Sequence, residues 1–174
     1  MNEIESIREF FEYNNRVRTN YMQLMIKDIS WEEFVKNRET SWLSLKDTML
    51  HIIWVNDSWI NYSINGLEDP NRPFPFAKYS TWDSIMNYNL MVASKVTEYL
   101  SKLTPVEMSR IVSRVNNDGI KRTIKVRDVL LHVFGEELHH RGEIIAMLWQ
   151  MNRQPPDMGW ASVMKKTYPS WKMT

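Results

Sequence analysis

The chain of 174 residues contains no cysteine. This absence excludes disulfide bonds, thiolate metal ligands and a cysteine nucleophile. Only five glycines occur, and no glycine-rich loop of the kind that cradles phosphates is among them. No apolar run approaches the roughly 18 residues that a transmembrane helix requires. We therefore expect no association with a membrane.

An excess of charge of either sign is also missing. Lys and Arg together number 22 and Asp and Glu 21, so the net charge is +1. Proteins that bind nucleic acid usually show a basic excess or a basic stripe, and neither is present. The first residues, MNEIESIREFF, are acidic and amphipathic, unlike a signal peptide. The composition predicts a soluble cytoplasmic protein that does not bind nucleic acid.

Methionine and tryptophan, by contrast, are abundant, with 12 and 8 residues. Many residues of these two types indicate a large and adaptable apolar interior, an apolar pocket or a subunit face. A chain of this length is sufficient for one domain with a single core. We expect residues 1–174 to form that one domain.

Apolar side chains recur at three- and four-residue spacings over four long stretches, as amphipathic helices require. The predicted helices span residues 2–27, 45–65, 82–103 and 126–151. Ser30 and Glu33 predict a short capped turn of helix that ends near residue 36. Residues 37–44 are polar and predict a connection. Gly66 suits the left-handed position that ends a helix, and three prolines between residues 70 and 75 exclude regular structure after it.

Residues 110–125 alternate β-branched and polar side chains on either side of an Asn-Asp-Gly sequence. This pattern predicts a β-hairpin with Asp118 and Gly119 at its turn. The fold class is therefore all-α, an up-and-down-type four-helix bundle with a small β-hairpin insertion between the third and fourth long helices. The tail after residue 151 is expected to be irregular or briefly helical, with three aromatic side chains packed on the body: Trp160, Tyr168 and Trp171.

Three of the four histidines lie on the last long helix. At about 100° per residue, His140 falls inside the apolar sector of this helix and Glu136 at the edge of that sector. His132, His139 and Glu143 project away from it. Glu136 and His140 are four residues apart, so their side chains meet on one face. An ionised glutamate that faces a core requires compensation, which a bound cation provides.

The fourth histidine, His51, lies in an apolar turn of the second long helix. Taken alone, it fits a core histidine bonded to a backbone carbonyl or a hydroxyl. Together with Glu136 and His140, it forms a set of three inward polar groups from two helices. Three protein ligands with open positions are typical of a catalytic metal site. His132 is expected to be a supporting residue or an alternative ligand.

Three segments carry a resemblance to a known family: MLHIIWVNDSWI at 49–60, LLHVFGEELHHRGEIIAML at 130–148 and QPPD at 154–157. They resemble the DinB/YfiT-like superfamily over nearly the whole chain, and the His-His-Arg-Gly-Glu run is the specific part. The resemblance implies a four-helix bundle, commonly dimeric, with a divalent metal (often zinc or nickel) held by three histidines. Its ligand positions fall on His51, residue 136 and His140.

The chain departs from this pattern because residue 136 is glutamate rather than histidine. One interpretation retains the site as two histidines and one carboxylate, a ligand set that suits zinc, iron(II) or manganese at least as well as nickel. The other interpretation is a weakened site that has lost its metal.

The activity that the resemblance implies is that of a low-molecular-weight-thiol S-transferase acting on a small hydrophobic electrophile. The expected partners are accordingly the thiol, the electrophile and a second copy of the chain in a homodimer. The alternatives are a metal-dependent hydrolase and a non-catalytic dimeric bundle associated with stress. The damage-inducible name of the family suggests nucleic-acid binding, but the neutral net charge disfavours it.

Several further residues are expected near the metal. Arg141 could bind a carboxylate of the thiol or substrate, although an ion pair with Glu137 or another acid of the bundle is an equal alternative. Aromatic side chains are expected to form a pocket for the electrophile, and the candidates are Trp54, Trp59, Phe74 and Phe76.

Overall fold

Each long helix buries the apolar face that its spacing predicts, and the four faces share one core. The computed structural model describes residues 2–115 and 119–165. Its long helices are α1 (Glu3–Asp28), α3 (Leu45–Asn56), α4 (Trp82–Ser101) and α6 (Val126–Gln150). α3 packs against both α6 and α4, and α1 packs against the same two helices. The predicted four-helix bundle with a hairpin before its last helix is confirmed.

Side-chain caps fix where the helices begin. Asn2, Ser44 and Thr81 each accept a hydrogen bond from a backbone N–H in the first turn of α1, α3 and α4, respectively. The side chain of Ser30 accepts from the N–H of Glu33 and opens α2 (Trp31–Val35), the short turn that the sequence predicts. Such caps satisfy donors that otherwise have no partner at a helix end.

The second long helix differs from the prediction, because it is α-helical only as far as Asn56. A π-helical segment (Asp57–Tyr62) and one turn of 3-10 helix (Ser63–Asn65) follow. Ser63 donates its hydroxyl hydrogen bond to the carbonyl of Ser58 five residues earlier, at 2.9 Å. Gly66 ends the helix with a φ of +69°, the left-handed conformation predicted for it. π-helical turns occur frequently at functional sites.

A short helix that the sequence analysis did not predict follows α4. α5 (Pro105–Ser109) begins where only a helix stop was expected. Thr104 accepts from the N–H of Glu107 at 3.2 Å, and Pro105 occupies a first-turn position where its missing N–H costs nothing. A threonine cap followed by proline starts a helix as readily as it ends one.

The hairpin consists of β1 (Ile111–Val115) and β2 (Lys121–Lys125), which pair antiparallel with Ile111 opposite Lys125. Gly119 has a φ of +76°, as a turn glycine requires. Asp118, the other predicted turn residue, lies outside the described residues. β2 continues directly into α6 at Val126, so the hairpin determines where the last helix begins.

After α6 the chain is irregular until α7 (Trp160–Val163). The ring of Trp160 stacks on Tyr13 with 4.8 Å between centroids and meets the edge of Phe10. The predicted packing of Trp160 on the body is confirmed, whereas Tyr168 and Trp171 lie outside the described residues. In the parts of the chain that the structure describes, no helix has the length and apolar character to cross a membrane.

Candidate metal centre

The packing of α3 against α6 brings His51, Glu136 and His140 together, with one ligand atom of each within 4.8 Å of the others. Nε2 of His140 lies 3.5 Å from Oε2 of Glu136, and Nε2 of His51 lies 3.9 Å from the same oxygen. Two atoms that each lie 2.0–2.2 Å from one ion at a tetrahedral angle are roughly 3.3–3.6 Å apart. The three side chains therefore form a group of the size that one divalent ion needs.

The three side chains differ in exposure. Both imidazoles are buried, with 8% of each side chain exposed, whereas 33% of the Glu136 side chain is exposed. This agrees with the helical angles, which place His140 inside the apolar sector and Glu136 at its edge. The group of three side chains is therefore open to solvent at the carboxylate of Glu136.

The orientation of the His140 ring is fixed by Glu143. Nδ1 of His140 lies 3.0 Å from Oε2 of Glu143. Because a carboxylate only accepts hydrogen bonds, Nδ1 of the neutral ring carries the proton and the Nε2 lone pair faces Glu136. Ser41 donates to the other oxygen of Glu143 at 2.6 Å. Partial burial would raise the pKa of Glu143, but the hydrogen bonds from Ser41 and His140 outweigh it and hold the pKa below its ordinary value.

The ring of His51 is held by stacking. Trp42 lies parallel to it, with 3.9 Å between the centroids and 17° between the planes. Nδ1 of His51 is buried and has no hydrogen-bond partner within the described residues. Burial is the larger cause, and the neighbouring His140 the smaller one, of a pKa of His51 that is lowered to about 3. At neutral pH the imidazole is uncharged, the form in which histidine binds a metal.

Trp42 and Ser41 both belong to the segment of residues 37–44, which the sequence analysis treated only as a polar connection. The segment is irregular, and Leu43 adopts a φ of +65° immediately before the Ser44 cap of α3. Helical or strand periodicity gives no information on side chains in such a segment. Within this segment, the sequence feature that could have indicated a contact with His51 is Trp42, because it is a tryptophan among polar residues and lies close to Ser44, the cap of the helix that carries His51.

Aromatic side chains extend from His51 along the outer side of α3. Trp54 lies 5.8 Å from the His51 ring and donates its indole N–H to Asp69 at 2.7 Å. Phe74 lies 5.5 Å from Trp54, and Phe76 lies 5.6 Å from Trp42. Three of the predicted pocket residues, Trp54, Phe74 and Phe76, thus adjoin the candidate metal centre.

The fourth predicted pocket residue, Trp59, lies elsewhere. Its ring meets the edge of His132 at 5.1 Å, and the guanidinium of Arg114 lies 4.1 Å above it. His132 is exposed, and it belongs to neither group of ligand atoms found among the described residues. The residue that contacts His140 from behind is Glu143, and the supporting role of His132 stays a prediction.

A second group of ligand atoms consists of His139, His140 and Glu143. His139 is exposed, and the two oxygens of Glu143 already bond Ser41 and His140. The group around His51 has two buried histidines and a carboxylate that faces both of them. It is the better donor set for an ion.

The side chain of Arg141 lies on the side of α6 that packs against α1. Its guanidinium donates to Asn14 at 2.7 Å and to Glu137 at 3.4 Å. Of the two roles that the sequence allowed for Arg141, the ion pair with Glu137 is therefore the one that forms. Glu137 is only 2% exposed and also accepts from Arg18 of α1 and, at 3.5 Å, from Asn56. The pair of Arg141 with Glu137 was one of the two alternatives, but the burial of Glu137 and its bonds to Arg18 and Asn56 were not predicted, although Glu137 lies about 20° from the centre of the apolar sector at 100° per residue.

Comparison with known proteins identifies the family of the chain. The model of the DinB family matches residues 1–173. The chain is 28% identical over 148 residues to the uncharacterized protein YizA of Bacillus subtilis (strain 168), an alignment that covers 84% of this chain and 89% of YizA. The chain, a helical bundle with a His/Glu group of metal-ligand spacing between its second and last long helices, belongs to the DinB family.

Proposed function

We propose that the protein is a divalent-metal-dependent enzyme that transfers a low-molecular-weight thiol to a small hydrophobic electrophile. One observation carries the proposal: His51, Glu136 and His140 converge from two helices with their ligand atoms within 4.8 Å of one another. Two imidazoles and one carboxylate form a donor set suited to zinc, iron(II), manganese or nickel.

The residues fit such an ion. Nε2 of His51 and Nε2 of His140 both lie within 4 Å of the same oxygen of Glu136. Glu143 presents Nε2 of His140 towards Glu136. An ion held by three protein ligands keeps a position for a thiol and lowers its pKa, so that a thiolate exists near neutral pH.

The composition supports a nucleophile that arrives with a co-substrate, because the chain has no cysteine of its own. The aromatic side chains beside His51 supply apolar contacts for an electrophile. Trp42, Trp54 and Phe76 are all partly exposed, so a bound molecule can contact their rings directly. The hydrogen bond from Trp54 to Asp69 fixes one of these rings in place.

The test uses full-length protein purified without a histidine tag, stripped by a chelator and reloaded with zinc, nickel, iron(II) or manganese. Conjugation of a chlorodinitrobenzene with several cellular thiols is then measured. We expect turnover only in the metal-loaded protein, and its loss in His51→Ala and His140→Ala. His139→Ala is the matched control, because this neighbouring histidine is exposed.

Two outcomes would contradict the proposal. A rate no higher than that of the metal-free protein with every thiol would remove the transferase assignment. Metal-dependent cleavage of an activated ester without any thiol would identify the hydrolase alternative instead.

A further inference from the structure

A second cavity, of about 470 Å³, lies between the π-helical segment, the loop after Gly66 and strand β1. Seven of its ten lining residues are polar or charged. The residues that matter for its chemistry are Ser58, Ser63, Asp69, Arg72, Ser113 and Arg114.

Arg114 is the central residue of this cavity. Its guanidinium lies 4.1 Å above the ring of Trp59, and Nη2 donates to the hydroxyl of Ser58 at 3.3 Å. Nη1 is buried, yet it has no hydrogen-bond partner within the described residues. A buried guanidinium N–H without an acceptor is unfavourable, so an acceptor bound in the cavity would stabilise Nη1.

A second guanidinium shares the cavity. Nη1 of Arg72 donates to the carbonyl of Val115 at 3.0 Å, on the same strand as Arg114. Burial lowers the pKa of Arg114, and the positive charge of Arg72 lowers it further, while Asp69 partly opposes both effects. An anion in the cavity would reduce the repulsion between the two arginines and accept from Nη1 of Arg114.

The acidic residues of the lining limit what the cavity can attract. Asp69 accepts from the indole N–H of Trp54 at 2.7 Å and from the backbone N–H of Asn71 at 2.8 Å, and Glu68 is exposed. Their charges offset those of the arginines. The cavity therefore selects a ligand by the hydrogen bonds of Arg114 rather than by a strong positive field.

The cavity and the candidate metal centre both include a residue of α3 or of the π-helical segment that continues it, His51 for the centre and Ser58 for the cavity. Ser58 follows His51 by seven residues, which corresponds to about 10 Å along a helix axis. Trp54 connects the two sites, since its ring adjoins His51 and its indole N–H bonds Asp69 of the cavity.

We propose that the cavity binds an oxyanion, a carboxylate or a phosphate, carried by the thiol or the electrophile whose reacting end lies at the metal centre. The placement of the reacting end rests on the proposed function. The oxyanion site itself is formed by Arg114, Arg72 and Ser58 and requires no metal.

The test is a titration of the full-length protein with inorganic phosphate, sulfate and succinate at constant ionic strength, with chloride as the reference anion. Binding is followed by calorimetry and by the indole N–H resonance of Trp59, assigned with Trp59→Phe. We expect one site per chain and a shift of the Trp59 resonance, because this ring lies under Arg114. Arg114→Gln should weaken binding at least tenfold, and Arg153→Gln, an exposed arginine after α6, should leave it unchanged.

Two further variants test whether the anion binds through Arg114 and independently of the metal centre. Arg114→Lys retains the charge but loses the forked donor, so it should also bind more weakly, and it replaces Arg114→Gln if that variant does not fold. The double variant His51→Ala, His140→Ala should keep its phosphate affinity, which separates this site from an anion bound to the metal. A preference for succinate over phosphate would identify the ligand group as a carboxylate, and the reverse preference would identify a phosphate.

Three results would overturn the proposal: no binding of any probe anion, equal binding by Arg114→Gln and the native protein, or loss of binding in the double histidine variant. If thiol transfer fails while phosphate still binds through Arg114, the proposed function is wrong and the oxyanion site stands.

Discussion

Nδ1 of His140 donates a hydrogen bond to Oε2 of Glu143 at 3.0 Å, and this contact determines which nitrogen of the ring faces Glu136. Ser41 holds the same carboxylate from the opposite side. A carboxylate behind a metal-binding histidine fixes the tautomer and strengthens the ligand. Glu143 thus completes the candidate metal centre without being one of its three ligands.

Replacement of Glu143 by alanine should reduce zinc affinity by about 10–100-fold, because His140 loses the group that orients it. Glu143→Gln should retain part of the affinity, since its amide oxygen still accepts from Nδ1. Competition with a chromophoric chelator measures the change. Glu98→Ala, which removes an exposed carboxylate of α4, serves as the control, and an unchanged affinity in Glu143→Ala would remove this role.

Glu136 determines the charge of the ligand set. Glu136→His should still bind one ion per chain but should shift its preference from iron(II) and manganese towards zinc and nickel, because imidazole is a softer donor than carboxylate. Glu136→Leu should bind less than the native protein for every metal. Elemental analysis after dialysis against an equimolar mixture of the metals measures both the metal preference of Glu136→His and the metal content of Glu136→Leu. Full occupancy in Glu136→Leu would show that Glu136 is not a ligand.

The sequence predicts the positions of Glu136 and His140 well because both lie on one uninterrupted helix. An angle of about 100° per residue is valid along all of α6, so the inward and peripheral histidines can be distinguished. The same calculation fails after Asn56, where the π-helical segment adds residues to each turn. Trp59 belongs to this segment, and its ring contacts His132 and Arg114 instead of the predicted pocket.

Ser41 and Trp42 could not be predicted for a different reason. Their segment has no periodicity, and its course depends on positive φ angles at Glu39 and Leu43. Contacts of this kind form only when the tertiary structure is complete. The thiol, the electrophile and the homodimer stay predictions, since each depends on a molecule other than this chain.

The buried network on the other side of α6 should matter for stability rather than for metal binding. Glu137→Leu leaves Arg18 and Arg141 without their shared carboxylate, and the loss of one partner from a buried ion pair costs about 3–5 kcal/mol. Urea denaturation of the metal-free protein measures this cost. Glu12→Leu, which breaks the exposed pair with Arg16, should cost less than about 1 kcal/mol.

A loss of less than about 1 kcal/mol in Glu137→Leu would contradict the role of the network in stability. Metal content provides the second check. It should be unchanged in refolded Glu137→Leu, because Glu137 bonds Arg18 and Arg141 and belongs to neither group of possible ligands among the described residues.

The metal-free protein should lose stability on mild acidification. Burial lowers the pKa of His51 from 6.5 to about 3, so between these values the unfolded chain binds a proton that the folded chain does not. Folding stability is therefore complete above pH 6.5 and decreases as the pH falls towards 3, by up to about 5 kcal/mol over the whole interval. Urea denaturation in the presence of a chelator, at several pH values, measures the slope.

His51→Phe should flatten this slope, since phenylalanine does not titrate. His139→Phe, at an exposed position, is the matched control and should retain the slope of the native protein. Equal slopes in His51→Phe and the native protein would assign the acid sensitivity to other groups.

Trp42 should affect metal binding although it offers no ligand atom. Its ring is stacked on His51 at 3.9 Å, and Nδ1 of His51 has no hydrogen bond within the described residues to hold the imidazole in its place. Trp42→Ala should therefore weaken zinc binding by about tenfold, at the lower end of the effect of losing an orienting group. Trp42→Phe should restore most of the affinity because a flat ring is kept. Trp149→Ala, an exposed tryptophan on the outer face of α6, should change nothing. If Trp42→Ala binds zinc as tightly as the native protein, the packing of α3 alone orients His51.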